Sequence, residues 1–493
     1  MAQNLRLEKV AIANRGEVAV RIIHACRELG IETVLLHSSA DEGTLAYRMA
    51  DETVCIGEAA SAQSYLNISA NIQGALSAGA DGIHPGFGFL SENADFAKAV
   101  EDAGMIFVGP TPENIKLFGD KISAKALALK AAVPVIPGYD GADQTMDRLL
   151  KEAEKIGYPV IVKASAGGGG RGLKVIRNLA EAKDAIESAQ REGQSSFGSG
   201  RVFLEKYLGQ AKHIEVQVFG DASGKVHSLL ERECSVQRRH QKIIEEALAA
   251  DLTFELREKI CASAVKLAQT ANYRGAGTVE FLLQEDEFYF MEMNTRLQVE
   301  HPVTEMVMGV DLVKAQLLTA MGSSLNWGSL VPHGHAIECR LYAEDPFKGG
   351  IPSTGVLGAI HWPQGPGRRF EFGFEAGDEI TSHYDPMIAK VIVWDENRSR
   401  AIKKMKQTLS ETVIFGVQTN IPLLQEILSH REFVNGTMTT RFFDTHFSKP
   451  LARMELSASE QKLIQSIGSQ IGENLSSDGE LVPSPWQHTW RPV

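Results

Sequence analysis

The sequence is poor in cysteine and contains no long apolar run. Its 493 residues include 5 cysteines, which are widely separated and never spaced as Cys-x-x-Cys. This pattern argues against both a disulfide framework and a zinc site. There is no stretch of roughly 18 consecutive apolar residues, the length that a membrane helix needs, and no signal-like start. We therefore expect a cytoplasmic protein that makes no contact with membrane.

Positive charge is also scarce. Lys and Arg number 50 against 62 Asp and Glu, which gives a net charge of −12. This is the wrong sign for a protein that mainly binds nucleic acid or an anionic membrane. Hydrophobic residues make up 43% of the chain, as in ordinary globular proteins. At roughly 150 residues per domain, the length predicts about three domains with filled cores.

Two common nucleotide-binding fingerprints are missing. The first predicted strand, at residues 9–14, is followed by Arg-Gly-Glu and not by Gly-x-Gly-x-x-Gly, and no P-loop occurs. Strand and helix patterns nevertheless alternate over the first ~115 residues, which predicts a Rossmann-like, doubly wound α/β layer. The pattern then becomes α+β to about residue 335 and α/β again over 336–447, and an amphipathic tail follows over 448–493.

A glycine run stands between two apolar strand patterns in the middle region. Lys163 lies near the end of the first strand, the glycines begin at Gly167, and the second strand begins at Leu173. Because glycine has no Cβ, successive backbone N–H groups can turn toward one anion. The pattern predicts a hairpin lid over a polyphosphate. A plain surface loop is the alternative.

Two acidic residues, Glu280 and Glu292, lie on neighbouring predicted strands. If residues 285–287 form a three-residue turn, Glu280 lies directly opposite Glu292, whereas a two- or four-residue turn sends them to opposite faces. Simple alternation places Phe288 and Phe290 on the face of Glu292 and makes that face buried. Carboxylates at that distance suit Mg²⁺, and two acids on a solvated face are the alternative.

A cation, an amide and a carboxylate follow at Arg296, Gln298 and Glu300. The planar fork of Arg suits a carbonate-shaped anion, and Glu300 is a candidate general base. An ordinary salt-bridged loop is the alternative. The locally basic segment from Gln237 to Lys242 is interpreted as part of a phosphate pocket.

Together these motifs resemble the biotin carboxylase component of biotin-dependent carboxylases, within the ATP-grasp superfold. The matching motifs cover roughly residues 7–447 and are Ala13-Asn-Arg-Gly-Glu17, His84-Pro-Gly-Phe-Gly-Phe-Leu-Ser-Glu-Asn93, Gly119-Asp-Lys121, the glycine run, Gln237-Arg-Arg-His-Gln-Lys242, Glu292-Met-Asn-Thr-Arg-Leu-Gln-Val-Glu-His-Pro302 and Tyr384-Asp-Pro-Met387. The resemblance implies an N-terminal domain over 1–118, an ATP-grasp domain over 119–335 with a lid at about 136–208, and a C-terminal domain over 336–447.

The resemblance also implies roles for individual residues. The implied ATP ligands are Lys121, Lys163, Gly168, Gly169, Gly170, Glu205, Leu208, His213, Gln237 and His240. Mg²⁺ (or Mn²⁺) would be held by Glu280 and Glu292 with Asn294 close by, and bicarbonate by Arg296, Gln298 and the Val299 backbone. The implied catalytic groups are Glu300 as base, Arg296, Lys242 facing the transferred phosphate and Arg340 steadying the biotin enolate.

The implied reaction is ATP-dependent carboxylation of biotin through carboxyphosphate, within an acetyl-CoA, other acyl-CoA or pyruvate carboxylase. The biotin-accepting motif Ala-Met-Lys-Met is absent, so biotin is expected on a separate carrier protein, with a carboxyltransferase subunit as a further partner. A non-catalytic, nucleotide-binding scaffold subunit and another ATP-grasp ligase are the alternatives.

Several positions depart from the family pattern. Phe87 stands where the family usually has Tyr, and His24 and Pro366 occupy positions associated with homodimer contacts, which leaves a homodimer open. We expect the tail, with Trp486 and Trp490, to dock on a partner or on the chain's own surface.

Overall fold

The structure is a computed structural model that describes residues 6–164, 173–197, 199–239 and 241–452, together with 459 and 462. Its first elements are β1 (Lys9–Ile12), α1 (Gly16–Leu29), β2 (Glu32–Ser38), α2 (Leu45–Met49), β3 (Glu52–Gly57), α3 (Ile68–Ser77), β4 (Gly82–His84), α4 (Ala94–Asp102), β5 (Ile106–Phe107) and α5 (Pro112–Gly119). The five strands form a parallel sheet in the order β3-β2-β1-β4-β5. Gly30 ends α1 at φ 70°, a left-handed conformation that favours glycine. The predicted Rossmann-like layer is confirmed.

A smaller antiparallel sheet follows. Its region contains α6 (Lys121–Lys130), β6 (Gly138–Tyr139), α7 (Met146–Ile156), β7 (Val160–Ala164), β8 (Leu173–Ile176), α8 (Leu179–Phe197) and β9 (Val202–Lys206). The strand order is β6-β9-β7-β8, and α7 and α8 close its apolar core. The strands on either side of the glycine run pair antiparallel as expected. The run itself lies outside the described residues.

The next elements continue the chain through the acidic hairpin. They are β10 (Lys212–Gly220), β11 (Val226–Arg238), β12 (Gln241–Ala247), α9 (Phe254–Thr270), β13 (Gly275–Gln284), β14 (Glu287–Asn294), α10 (His301–Met308) and α11 (Leu312–Ala320). Thr253 caps α9 by accepting the N–H of Leu256, and Asp311 caps α11 by accepting the N–H of Lys314.

The last described elements combine short strands with helices. They are β15 (His335–Tyr342), β16 (Glu344–Asp345), β17 (Ile351–Pro352), β18 (Gly355–Val356), β19 (Ala359–His361), β20 (Arg368–Phe372), β21 (Glu379–Ile380), β22 (Met387–Asp395), α12 (Arg398–Glu411), β23 (Val413–Phe415), α13 (Ile421–Ser429), α14 (Arg431–Asn435) and α15 (Phe442–His446). Most of the predicted amphipathic tail, with its two tryptophans, falls outside the described residues, which after 452 include only 459 and 462.

An eight-stranded antiparallel sheet joins these last two groups in the order β14-β13-β10-β11-β12-β15-β22-β20. The sheet continues across the boundary predicted between residues 335 and 336. The domain limits at 118, 335 and 447 stay predictions. In the described residues, no helix combines the length and apolarity that crossing a membrane requires.

Alternate residues of β15 and β22 face two different environments. Cys339 and Val391 belong to the hydrophobic core that includes α12. Glu338, Arg340 and Lys390 point to the other face, and all are largely or fully buried. Helix α10 packs on these strands. One face of the sheet therefore carries a buried charged layer, and α10 begins beside it.

Candidate active site

Lys242, on β12, lies among three carboxylates from different elements. Its Nζ donates to Glu280 Oε1 on β13 at 3.0 Å and to Glu300 Oε1 at 2.7 Å. It also pairs with Glu215 on β10. Burial opposes the charged ammonium, but the three carboxylates outweigh it and raise the pKa of Lys242 well above its usual value. Lys242 is therefore a fixed cation at the centre of the site.

Beneath this cluster, Glu215 is tied to Arg232, which is fully buried. Arg232 Nε donates to Glu215 Oε1 at 2.5 Å, and its other nitrogens donate to Gln217, Thr278 and Thr304. Sequence reasoning assigned neither Glu215 nor Arg232. The available signal was a pair of polar residues, Glu215 and Gln217, alternating within an otherwise apolar strand.

Glu280 and Glu292 are register partners on β13 and β14, although the turn has the length for which simple alternation predicts opposite faces. Gln284 pairs with Glu287, so the turn contains two residues and not three. A β-bulge restores the pairing, because Met291 has no partner on β13.

The bulge also corrects the predicted face of β14. Phe290 pairs with Phe281, and both belong to a hydrophobic core, which Phe288 also contacts. Glu292 pairs with Glu280 and therefore lies on the opposite face. The prediction that Phe288 and Phe290 share the face of Glu292 is wrong, because one extra residue inverts the alternation.

Glu280 has two further neighbours that sequence analysis had assigned to metal and nucleotide. Asn294 Nδ2 donates to Glu280 Oε1 at 2.9 Å, and His213 Nε2 lies 3.2 Å from Glu280 Oε2. Gln237 Nε2 lies 2.7 Å from His213 Nδ1. If Gln237 donates this bond, His213 carries its proton on Nε2, toward Glu280. Burial favours the neutral form of Glu280, but Lys242 and His213 dominate and lower its pKa.

The donor set at this hairpin suits a hard divalent cation. Burial, and then the charge of Glu280, raise the pKa of Glu292. A cation between the two carboxylates would reverse this effect, and Mg²⁺ prefers such oxygens. A separate group, His213, Glu215 and Glu280, also places ligand atoms within 4.8 Å of one another, but it does not include Glu292. The residues present therefore fit the magnesium ion that the sequence predicts.

Arg296 is fixed by Glu92, which lies just before α4 and was not assigned a role from sequence. Arg296 Nε donates to Glu92 Oε2 at 2.7 Å, while Glu92 Oε1 accepts the N–H of Thr295 at 3.0 Å. Arg296 also donates to Gln298 Oε1 at 3.0 Å and Asn294 Oδ1 at 3.2 Å. Gln298 is buried, and its Nε2 has no hydrogen-bond partner within the described part of the chain. A donor is thus left for a small oxyanion.

Glu300 is fully buried at the start of α10 and is shared between two cations. Its Oε1 accepts from Lys242, and its Oε2 accepts from Arg340 Nη2 at 2.9 Å. Arg340 Nε also donates to Glu245 Oε1 at 2.6 Å. Burial alone would raise the pKa of Glu300, but Lys242, Arg340 and Arg232 lower it well below its usual value. Glu300 is therefore ionised, and both of its oxygens are paired with cations.

The predicted nucleotide residues on the smaller sheet also meet one another. Lys163 Nζ on β7 donates to Glu205 Oε2 on β9 at 2.6 Å. Lys121 is the exposed first residue of α6, and Leu208 is partly buried between β9 and β10. Gly168, Gly169, Gly170 and His240 lie outside the described residues.

Two other motif residues join distant parts of the chain. Arg15 Nε donates to both oxygens of Asp41, at 2.9 and 3.0 Å, and its guanidinium lies 4.2 Å from the ring centre of Tyr384. The Tyr384 hydroxyl lies 2.7 Å from Ser38 Oγ. These contacts tie the loop before β22 to the N-terminal sheet. Phe87 is partly buried against the neighbouring hydrophobic core.

Matches to three family models identify the class of protein. Residues 6–115 match the biotin carboxylase N-terminal domain, 120–327 the ATP-binding domain of the carbamoyl-phosphate synthase L chain, and 338–445 the biotin carboxylase C-terminal domain. The fold and site thus define an ATP-binding enzyme of the carboxylase class. The chain belongs to the biotin carboxylase family. This confirms the predicted family, fold class and class of enzyme.

Individual relatives agree with this assignment. The chain is 49% identical over 441 residues to the biotin carboxylase of Haemophilus influenzae, covering 89% of this chain and 98% of that protein. It is 48% identical to the mitochondrial methylcrotonoyl-CoA carboxylase subunit alpha of Glycine max, covering 90% of this chain but only 61% of that protein. The solved biotin carboxylase domain of a thermophilic 2-oxoglutarate carboxylase, bound to bicarbonate, is 43% identical with a TM-score of 0.85, covering 89% and 98%.

Proposed function

We propose that the chain carboxylates carrier-bound biotin, using bicarbonate, ATP and Mg²⁺ (or Mn²⁺), through carboxyphosphate. The observation that carries this proposal is the placement of Glu300 between Lys242 and Arg340. Arg296 and Gln298, two N–H donors suited to an oxyanion, belong to the same short loop.

In the first half-reaction, Arg296 and Gln298 hold bicarbonate while Glu300 accepts its proton. The freed oxygen attacks the γ-phosphorus of ATP, the bond to the bridging oxygen breaks, and ADP leaves. Lys242 offsets charge on the transferred phosphoryl group. An anion beside Lys242 shares that cation with Glu300, which raises the pKa of Glu300 toward that of a useful base.

In the second half-reaction, carboxyphosphate separates into CO₂ and phosphate. The phosphate accepts the proton from the ureido N1 of biotin, and N1 then forms its bond to CO₂. Arg340 stabilises the developing negative charge on the ureido oxygen. Its ion pairs with Glu245 and Glu300 fix the guanidinium plane and support this role.

The nucleotide and metal ligands complete the proposed site. We assign ATP to Lys121, Lys163, Gly168, Gly169, Gly170, Glu205, Leu208, His213, Gln237 and His240. Glu280 and Glu292 would hold Mg²⁺ beside Asn294. When bound, the ion would neutralise charge on the nucleotide phosphates. The Val299 backbone would complete the bicarbonate site.

The partners follow from the proposed chemistry. No Ala-Met-Lys-Met motif occurs in the 493 residues, so the biotin acceptor lies outside this sequence. We propose a biotin carboxyl carrier protein and a carboxyltransferase as partners, in an acyl-CoA or oxoacid carboxylase. A Hydrogenobacter thermophilus relative is described as a domain dimer, which supports a homodimer here. The five free cysteines suit the reducing cytoplasm.

Purified chain mixed with MgATP, bicarbonate and free biotin tests the proposal. We expect ADP release that depends on both bicarbonate and biotin, together with acid-labile incorporation of labelled bicarbonate into biotin. A folded chain that binds nucleotide but releases no ADP would favour the scaffold alternative. ADP release that depends on an amine or amino acid instead of biotin would favour another ATP-grasp ligase.

A further inference from the structure

The charged layer behind the site contains a lysine that the reaction above does not use. Lys390, on β22, is fully buried. Its Nζ lies 2.8 Å from Glu371 Oε2 and 3.2 Å from Glu17 Oε2, and it donates to the Val299 carbonyl oxygen at 2.9 Å. The contacts with the two carboxylates are ion pairs, and the contact with the Val299 carbonyl is a hydrogen bond.

The Val299 carbonyl is the acceptor in this set that needs explanation. Gln298 O accepts the N–H of His301, and Glu300 O accepts the N–H of Val303, both at 3.3 Å. The carbonyls on either side of Val299 are thus taken by the first turn of α10. Lys390 supplies the donor for the carbonyl between them, and so fixes the peptide that links Val299 to Glu300.

The register of the sheet connects this contact to the site. Lys390 is the cross-strand partner of Arg340 on β15 and of Glu371 on β20. Arg340 holds the carboxylate of Glu300, and Lys390 holds the peptide on its N-terminal side. Arg340 and Lys390, which are cross-strand neighbours, therefore hold the side chain and the preceding peptide of Glu300.

Stability alone does not explain a fully buried ammonium at this position. Apolar residues of similar volume often replace buried ion clusters without loss of stability, because desolvation offsets the attraction between the charges. A methionine could fill the space, but it could not hold the Val299 carbonyl.

We propose that Lys390 is a positioning residue for the bicarbonate loop: its ammonium holds the Val299 carbonyl and thereby places both the Val299 backbone and Glu300. The proposal rests on the proposed function for its kinetic consequence. The contact itself also has a consequence that can be measured without turnover.

The test compares Lys390→Met with Lys404→Met. Lys404, on α12 and away from the site, is a matched control, since its Nζ also donates to a backbone carbonyl, that of Trp394 at 2.8 Å, and pairs with Asp395 at 3.0 Å. In Lys390→Met we expect the KM for bicarbonate to rise about tenfold or more, while the Kd for MgADP stays within about twofold. The acid limb of the kcat/KM profile should move to higher pH, because a displaced Glu300 loses part of its pairing with Lys242 and Arg340.

Hydrogen exchange of the backbone amides in residues 299–304 gives the readout that needs no activity. We expect about tenfold faster exchange in Lys390→Met and no change in Lys404→Met. If the wild-type chain shows no bicarbonate-dependent ADP release, the proposed function is wrong. The exchange comparison would still decide whether Lys390 holds this loop.

If Lys390→Met does not fold, Lys390→Met/Glu371→Gln replaces it, because the double change removes one charge of each sign. A folded variant with the wild-type KM for bicarbonate, pH profile and exchange rates would overturn the proposal. Loss of stability alone, with those three measurements unchanged, would also overturn it and leave Lys390 a purely structural residue.

Discussion

The molecule contains two buried lysines surrounded by acids, and they differ in what their partners leave open. Lys242 faces three carboxylates, those of Glu215, Glu280 and Glu300, and its side chain is 12% exposed. Lys390 faces two carboxylates and a backbone carbonyl, and its side chain is 0% exposed. The first cluster is partly open to solvent, so a ligand can reach it. The second cluster is closed to solvent, so Lys390 can act only on the groups that it already contacts.

Replacing Lys242 should have the largest effect on both activity and stability. In Lys242→Met, three buried carboxylates lose their shared cation, so we expect kcat/KM to fall about 10²- to 10³-fold. The free energy of unfolding should fall by about 3–5 kcal/mol. ADP release and urea denaturation measure the two losses. Lys404→Met should leave kcat/KM unchanged, and a Lys242→Met enzyme within about tenfold of wild type would contradict the central role of this cation.

Glu300→Gln tests the acid that links the two clusters. The amide keeps the shape of the side chain but accepts no proton at neutral pH, so kcat should fall about 10²-fold or more. Nucleotide affinity, measured by calorimetry, should stay within about twofold. Glu411→Gln, at the last residue of α12, is the control. If only ATP binding were lost, Glu300 would not be the base.

Glu371→Gln should separate stability from activity. Glu371 pairs with Lys390 and Arg369 in the closed cluster, so its neutralisation leaves buried cations less well paired. We expect a loss of about 2–3 kcal/mol in unfolding free energy and a change in kcat below about threefold, since Lys390 keeps Glu17 and the Val299 carbonyl. Parallel denaturation and steady-state assays measure both. If Glu371→Gln lost as much activity as Glu300→Gln, the Lys390 cluster would contribute to catalysis as strongly as the Lys242 cluster, which would contradict the comparison.

The smallest expected effect concerns pH. Burial raises the pKa of Glu17 to about 7, despite the attraction of Lys390. A carboxyl with a raised folded pKa binds a proton more tightly in the folded state, so its contribution to stability is lost as pH rises through about 7. Glu17→Gln should therefore reduce the stability difference between pH 6 and pH 8 by about 1 kcal/mol. Denaturation at the two pH values measures this stability difference. If Glu17→Gln leaves it unchanged, a group other than Glu17 binds the proton.

The sequence predicted the elements well where the signal is local. The first strands, the strands around the glycine run and the loop from Arg296 to Glu300 follow from short-range patterns. Glu92, Glu215 and Lys390 were not assigned, because sheet register and loop packing bring them to the site from distant segments. The pairing of Glu280 with Glu292 was expected only for a three-residue turn, but a two-residue turn followed by a bulge gives the same register.

The bulge at Met291 gives one short strand two separate duties. Before it, β14 contributes aromatic rings to the hydrophobic core, and after it the same strand places Glu292 opposite Glu280 and Asn294 against the Glu280 carboxylate. The unpaired residue Met291 therefore shifts the side-chain alternation of β14 by one position. Deleting Met291 would make the ladder regular and keep Glu292 opposite Glu280, whereas pairing Met291 with Glu280 would turn Glu292 toward the hydrophobic core.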